Sequence, residues 1–173
     1  STSLLFHSLT FIFSSPLFIF SPLRSYDETR GDYMGVIQAT KKDIELLARL
    51  MRAEAGSDGD MGMLLVGNVC VNRILANCHD FKNINTIPSM VYQSPGGFEA
   101  VQFDYFYQRA RDNEIRLAKR VINGERFEPA TTALWFYDPF QASCPAQFWG
   151  QWNSGRYGDH CFYIPLESEH CYD

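Results

Sequence analysis

Between about Asp60 and Ala76 a helix is apolar whichever way it is turned: Met63, Leu64, Leu65, Val66, Val69, Val71, Ile74 and Leu75 leave no polar stripe. A helix that is hydrophobic all round has no side for water and has to lie at the centre of a domain. The rest of the chain must then form a shell around that one rod. Gly62 and Gly67 on it would let neighbouring backbones approach closely. At 173 residues the chain is long enough for one such centre and its shell.

Ahead of the rod, Thr40-Lys41-Lys42-Asp43 has the form of a capping box, with an acid three positions after a threonine cap. Ile44, Leu47, Ala48, Met51 and Ala55 recur at helical spacing, which predicts a helix over 41–55 ended by Gly56-Ser57-Asp58-Gly59. Downstream, Ile84 to Tyr92 reads as a short helix and Ser94-Pro95-Gly96-Gly97 as a turn. Arg111 to Ile122 reads as a helix stopped by Asn123-Gly124. After Pro129 the pattern changes. Ala133–Tyr137 and His160–Tyr163 read as two strands joined by a long loop containing Cys144-Pro145. Helices followed by a small antiparallel sheet make an α+β layout. No repeat or linker interrupts 34–173, which is read as a single domain.

Residues 1–33 stand apart. Leu4 to Leu23 approaches the roughly twenty apolar residues of a membrane span. His7, Pro16, several serines and the lack of a preceding basic residue argue against a signal anchor. Met34 stands just before the first helix signal, so 1–33 is read as a leader from upstream translation or an artefact, with the biological start near Met34. No export signal and no membrane span are then expected in the domain.

A net charge of -5 gives the chain no electrostatic footprint for nucleic acid. Its 14 Phe, 9 Tyr and 3 Trp suit an aromatic core or a groove in which sugars stack. Composition does not separate the two. Five cysteines, an odd number without tight spacing, make a poor disulfide framework, and Cys70 in its apolar run reads as a buried thiol. Cys144, His160, Cys161, His170 and Cys171 are of zinc-ligand type but lack C-x-x-C spacing, so no metal site is expected.

Glu54 lies within roughly 60° of Leu47, Leu50 and Met51 around the first helix, by the 3.6-residue geometry. A carboxyl on that apolar side, at the end of the helix, is partly desolvated, and its neutral form is favoured. An acid that keeps its proton near neutral pH is what a departing sugar oxygen requires. The competing reading is a helix-end acid paired with Arg49, Arg52 or Arg73.

Four runs resemble one family in order. They are Leu47–Ala55 with Gly62–Val69 and Val71-Asn72-Arg73; Pro95–Val101; Ala133–Phe136; and Gly158–Tyr163. Together they resemble the SleB/CwlJ cell-wall hydrolases, and the CwlJ branch most, over nearly all of 35–163. The resemblance implies a lysozyme-like, transglycosylase-type helical core followed by a small sheet, acting on spore cortex peptidoglycan during germination. Glu54 occupies the position of the family's catalytic glutamate. A lytic transglycosylase needs one acid, whereas a hydrolase usually needs a second carboxylate roughly 5–9.5 Å away. Asp58, Asp60, Glu99 and Asp104 are available for that role.

Substrate contacts are expected from Asn72, Arg73, Phe98, Glu99, Tyr107, Trp149 and His160, each with a packing role as its alternative. Trp149 and Trp152, read as lying in the loop, form a glycan platform or a cover for the core. Rival readings are an amidase, which would want zinc or a Cys–His pair, and an inactive coat or peptidoglycan-binding protein. No cofactor is expected. The resemblance alone implies activation by calcium dipicolinate, a spore-coat protein partner, and a place at the coat–cortex boundary after synthesis in the mother cell.

Overall fold

Residues 32–173 are described by a computed structural model. The expected leader therefore falls, except for its last two residues, outside the described residues. A short hairpin of β1 (Asp32–Met34) and β2 (Gln38–Thr40) comes first. It was not expected from the sequence, and it begins ahead of Met34. α1 (Lys41–Ala55) follows with its capping box formed: the Asp43 amide donates to Thr40 Oγ1 at 3.2 Å and the Thr40 amide to Asp43 Oδ2 at 2.9 Å.

A 3₁₀ turn over Gly56–Asp58 leads into α2 (Gly59–Leu75), the expected rod, buried without a break from Gly62 to Arg73. One side of α2 packs on α1 and on α5 (Asp112–Ile122), through Val66, Cys70, Leu47, Met51, Leu117 and Val121. The other side, through Leu65 and Val69, meets Ala130, Ala133 and Phe162. At Gly67 the close neighbours are side chains rather than the expected backbone: a Cβ there would press on Met51 and Val121 at 3.0 Å. One at Gly62 would strike Asp58 Cβ at 2.3 Å and meet the Ala55 carbonyl at 3.4 Å.

After a 3₁₀ segment, His79–Phe81, α3 (Ile87–Val91) is shorter than 84–92 predicts, because Thr86 is its extended cap, its Oγ1 accepting from the Ser89 amide at 3.2 Å. A second 3₁₀ turn, Glu99–Gln102, and α4 (Asp104–Tyr107) complete the helical half. The sheet holds four antiparallel strands in the order β3-β6-β5-β4. They are β3 (Trp135–Tyr137), β4 (Gln147–Phe148), β5 (Gln151–Tyr157) and β6 (His160–Ile164). The expected long loop thus contains two strands, one of them the longest in the sheet. β5 reads Gln-Trp-Asn-Ser-Gly-Arg-Tyr, too polar for an apolar signal, and a register irregularity between Asn153 and Gly155 breaks its alternation.

The cysteine reading is corrected. Cys78 pairs with Cys171 and Cys144 with Cys161, at sequence separations of 93 and 17. Topology brings these pairs together. The tail returns to the end of α2, and the loop after β3 folds beside β6, so local spacing carries no sign of either bridge. Cys70 is the buried free thiol expected, and burial pushes it up to about 12. Cys78, His79 and Cys171 have ligand atoms within 4.8 Å of one another, but the two sulfurs are bonded to each other. Among the described residues no helix is long and apolar enough to cross a membrane.

Candidate active site

The last turn of α1 carries Glu54 to the meeting point of two concave lobes. The first, about 360 Å³, is lined by Ala53, Ala100, Phe103, Tyr105 and Phe106 with Glu54 and Glu99. The second, about 330 Å³, is lined by the same two acids with Arg73, Phe98, Phe136, Tyr137, Asp138, Phe140 and His160. Helical residues therefore build one wall and β3 with the start of β6 the other, with Glu54 between them.

Burial raises the Glu54 carboxyl above the ordinary glutamate value. A bond from the Ala100 amide to Oε1 (3.4 Å) and the charge of Arg73 oppose the rise, while the charge of Glu99 adds to it. Desolvation is the largest of these effects. The three arginines considered as partners are engaged elsewhere. Arg49 pairs with Glu45 at 3.0 Å, Arg52 with Glu114 at 3.1 Å, and Arg73 makes no ion pair among the described residues.

Arg73 is buried and clamps the cleft walls. Its Nε donates to the Leu134 carbonyl (2.8 Å), its Nη1 to that of Gly96 (3.2 Å), and its guanidinium lies against the rings of Phe81 and Phe98. It lines the second lobe, with two of its five N–H donors committed to the fold. Burial lowers its pKa to about 10, which leaves it charged at neutral pH.

His160 presents the opposite side. Its Nδ1 is 3.1 Å from Asp58 Oδ2, and its ring stands perpendicular to that of Phe136 with the centroids 5.1 Å apart. Nδ1 being engaged leaves Nε2 for the lobe. Asp58 is only 11% exposed and is held by shape as well: a Cβ at Gly158, where φ is +54°, would lie 2.3 Å from Asp58 Oδ1. Asp58 entered the sequence argument only as a possible second carboxylate. Gly62, where a Cβ would also strike Asp58, and Gly158, two residues before His160, were the signal available for a crowded, fixed acid.

The remaining expected contacts divide. Phe98 and Glu99 line the lobes with Glu54, Arg73 and His160. Asn72 does not: its amide spans the carbonyls of Ala130, Thr131 and Ala133 at 2.9–3.3 Å, holding the approach to β3. Tyr107 is exposed, outside both lobes, with its hydroxyl on the Val101 carbonyl. Trp149 sits in the turn between β4 and β5, and Trp152 lies in β5 rather than in a loop. Of the acids offered as a second carboxylate, Glu99 shares both lobes with Glu54. Asp60 bonds Asn113 and Arg116, and Asp104 starts α4 outside the lobes. Phe103, Tyr105, Asp138 and Phe140, all lining the cleft, were not foreseen.

A profile of the cell wall hydrolases matches residues 57–163. The chain belongs to that family. A cell wall hydrolase CwlJ of Oceanobacillus iheyensis is 61% identical over 136 residues, covering 79% of this chain and 96% of the relative. The CwlJ of Bacillus subtilis is 56% identical over 132 residues, covering 76% and 92%. Among solved structures, the catalytic domain of the germination-specific lytic transglycosylase SleB from Bacillus anthracis superposes with a TM-score of 0.58. That match has 22% identity and covers 72% of this chain and 96% of that domain, so it speaks for the fold. The SleB catalytic domain of Bacillus cereus gives 0.57 at 25% identity. The family's enzymes are cell wall hydrolases, and the helical core with its small sheet is the architecture of those solved domains. Within this family member a cysteine nucleophile has no candidate among the described residues, because four thiols are paired and the fifth is buried with its pKa raised.

Proposed function

We propose that the protein cuts the glycan strands of spore cortex peptidoglycan, with Glu54 as the proton donor. The observation that carries this reading is a desolvated carboxyl, without an ion-pair partner among the described residues, at the junction of two aromatic-lined lobes. Burial keeps Glu54 protonated to higher pH than an ordinary glutamate. With a strand lying through both lobes, Glu54 donates its proton to the oxygen between a muramic acid and the next sugar. The C1–O bond breaks, and positive charge develops at C1 of the muramic acid. Glu54, now a carboxylate, takes the proton of that sugar's C6 hydroxyl as its oxygen closes on C1. The product is a 1,6-anhydro ring, and the acid regains its proton.

Two acids near the cleft have fixed duties, which supports this single-acid course. Asp58 orients His160, and Asp60 is bonded away from Glu54. His160, held through Nδ1, offers Nε2 to a sugar hydroxyl or acetamido group, and Phe98 supports one ring of the strand. Hydrolysis is the second reading, since Glu99 and Asp138 line the second lobe with Glu54 and either would serve to activate a water. The cortex, docking to a coat protein, and activation by calcium dipicolinate form the setting of the same proposal, and the family resemblance supports them.

The test is soluble glycan release from purified cortex by the wild-type protein, Glu54→Gln, Glu99→Gln and Asp138→Asn. Loss of the acid lowers the rate by roughly 10²–10⁴, while Glu99→Gln and Asp138→Asn stay within a few fold. A Glu54→Gln protein keeping a tenth of the activity would refute the assignment. Collapse of activity in Glu99→Gln or Asp138→Asn would move the reaction to hydrolysis.

A further inference from the structure

Trp149 stands where folding gives no reason for an indole. β4 and β5 are joined by two residues only, Trp149 and Gly150, with φ of 50° and 80°. Two positive φ values in a two-residue hairpin call for Asn, Asp or Gly, and a bulky residue there is an outlier. The side chain is also 79% exposed. Backbone strain and an exposed apolar ring coincide in one residue, and such coincidences mark functional positions.

The ring is not loose. Phe148 stacks on it at 4.6 Å and 18°, and Tyr137 stacks on Phe148 at 4.4 Å and 24°. Tyr137 lines the second lobe of the cleft. The three rings thus run from the cleft, across one face of the sheet, to the hairpin tip. One face of Trp149 is backed by Phe148, and its high exposure leaves the other open to solvent.

We propose that Trp149 is a stacking platform for a sugar ring of the same glycan strand, outside the cleft and away from the bond that is cut. The proposal rests on the glycan-cleaving reading. A pyranose offers a flat patch of C–H bonds that matches one open aromatic face, and the polar edge of that sugar stays in water above the exposed indole. A protein partner would want a contiguous apolar area. The other exposed tryptophan of this hairpin, Trp152, does not extend the surface: the register pairs it with Gln147 and Ile164, on the face opposite Phe148 and Tyr163.

Binding is measured with glycan strands of defined length in the Glu54→Gln background, which does not consume them. Trp149→Asn is the main variant, because asparagine tolerates positive φ and the protein should be at least as stable. Affinity for strands of six or more sugars is expected to fall about tenfold, the factor equal to about 1.4 kcal/mol. The ratio of long-strand to disaccharide affinity should fall with it, and Trp152→Ala should leave that ratio unchanged. An unchanged ratio in Trp149→Asn overturns the platform, as does an equal loss for all lengths. If the parent protein binds no strand of any length and the wild type cuts none, the glycan reading fails first and takes this proposal with it.

Discussion

Replacing Arg52 by leucine removes the pin that holds one wall of the cleft. Arg52 is 3% exposed and pairs with Glu114, itself 4% exposed, at 3.1 Å. Its Nη1 also donates to the Arg109 carbonyl at 2.9 Å, and its Nη2 to those of Tyr105 (3.1 Å) and Gln108 (2.5 Å). These three carbonyls belong to the segment that carries Tyr105 and Phe106 into the first lobe. In Arg52→Leu the Glu114 carboxylate stays buried with only the Arg111 amide, 2.8 Å away, as a remaining partner among the described residues. Breaking a buried pair from one side costs about 3–5 kcal/mol. The lost carbonyl bonds place this case toward the upper end, although the part-exposed segment can recover some of them in water.

Against a total stability of about 5–15 kcal/mol, that is a large fraction. The midpoint should fall by roughly 10–15 °C for a domain of this size. Thermal and urea unfolding of Arg52→Leu, Glu114→Leu and the double variant would measure it. The double variant should lose less than the sum of the singles, since no lone charge is then left buried. A cost below about 1 kcal/mol for Arg52→Leu, or simple additivity, would refute this account of the wall.

Other consequences are as direct. The raised Glu54 pKa means that the folded protein holds this proton to higher pH than the unfolded chain. Stability from this group is therefore complete below the ordinary glutamate value and is lost as pH rises through the folded value. Glu54→Gln should thus be more stable than the wild type at pH 7 and lose that advantage by pH 4; scans showing a pH-independent difference would contradict the desolvation. Asp58→Asn removes a charge-assisted bond to His160 of about 1.5–3 kcal/mol, so kcat/KM should drop roughly ten- to hundredfold. Full activity in that variant would show that the orientation of His160 is immaterial. Removing the Cys78–Cys171 bridge by paired serines opens a closed segment with a sequence separation of 93 and should cost about 2–5 kcal/mol, read as a lower urea midpoint.

The helical half was legible because its signals are local. The capping threonine, the stripe from Ile44 to Ala55 and the rod that follows each speak within a few turns of chain, and placing Glu54 needed only counting from Leu47 and Met51. The pairing of Asp58 with His160 was not legible, because 102 residues separate them and topology alone brings them together. Both disulfides were hidden for the same reason. β5 escaped because its side chains are mostly polar or aromatic and its register slips at Gly155. Asn72 shows the converse limit: its place near the end of the buried rod made it a candidate contact, but only the three carbonyls it spans reveal that its task is to hold the approach to β3.

The central claim, that Glu54 alone supplies and recovers the proton of strand cleavage, is tested most directly by the chain ends it leaves. Cortex glycan digested by the wild type and by Glu54→Gln, followed by mass spectrometry of the fragments, should give 1,6-anhydro-muramic ends with the wild type and none with the variant. Reducing muramic ends from the wild type would contradict the single-acid course, and anhydro ends formed at undiminished rate by Glu54→Gln would contradict the role of Glu54 itself.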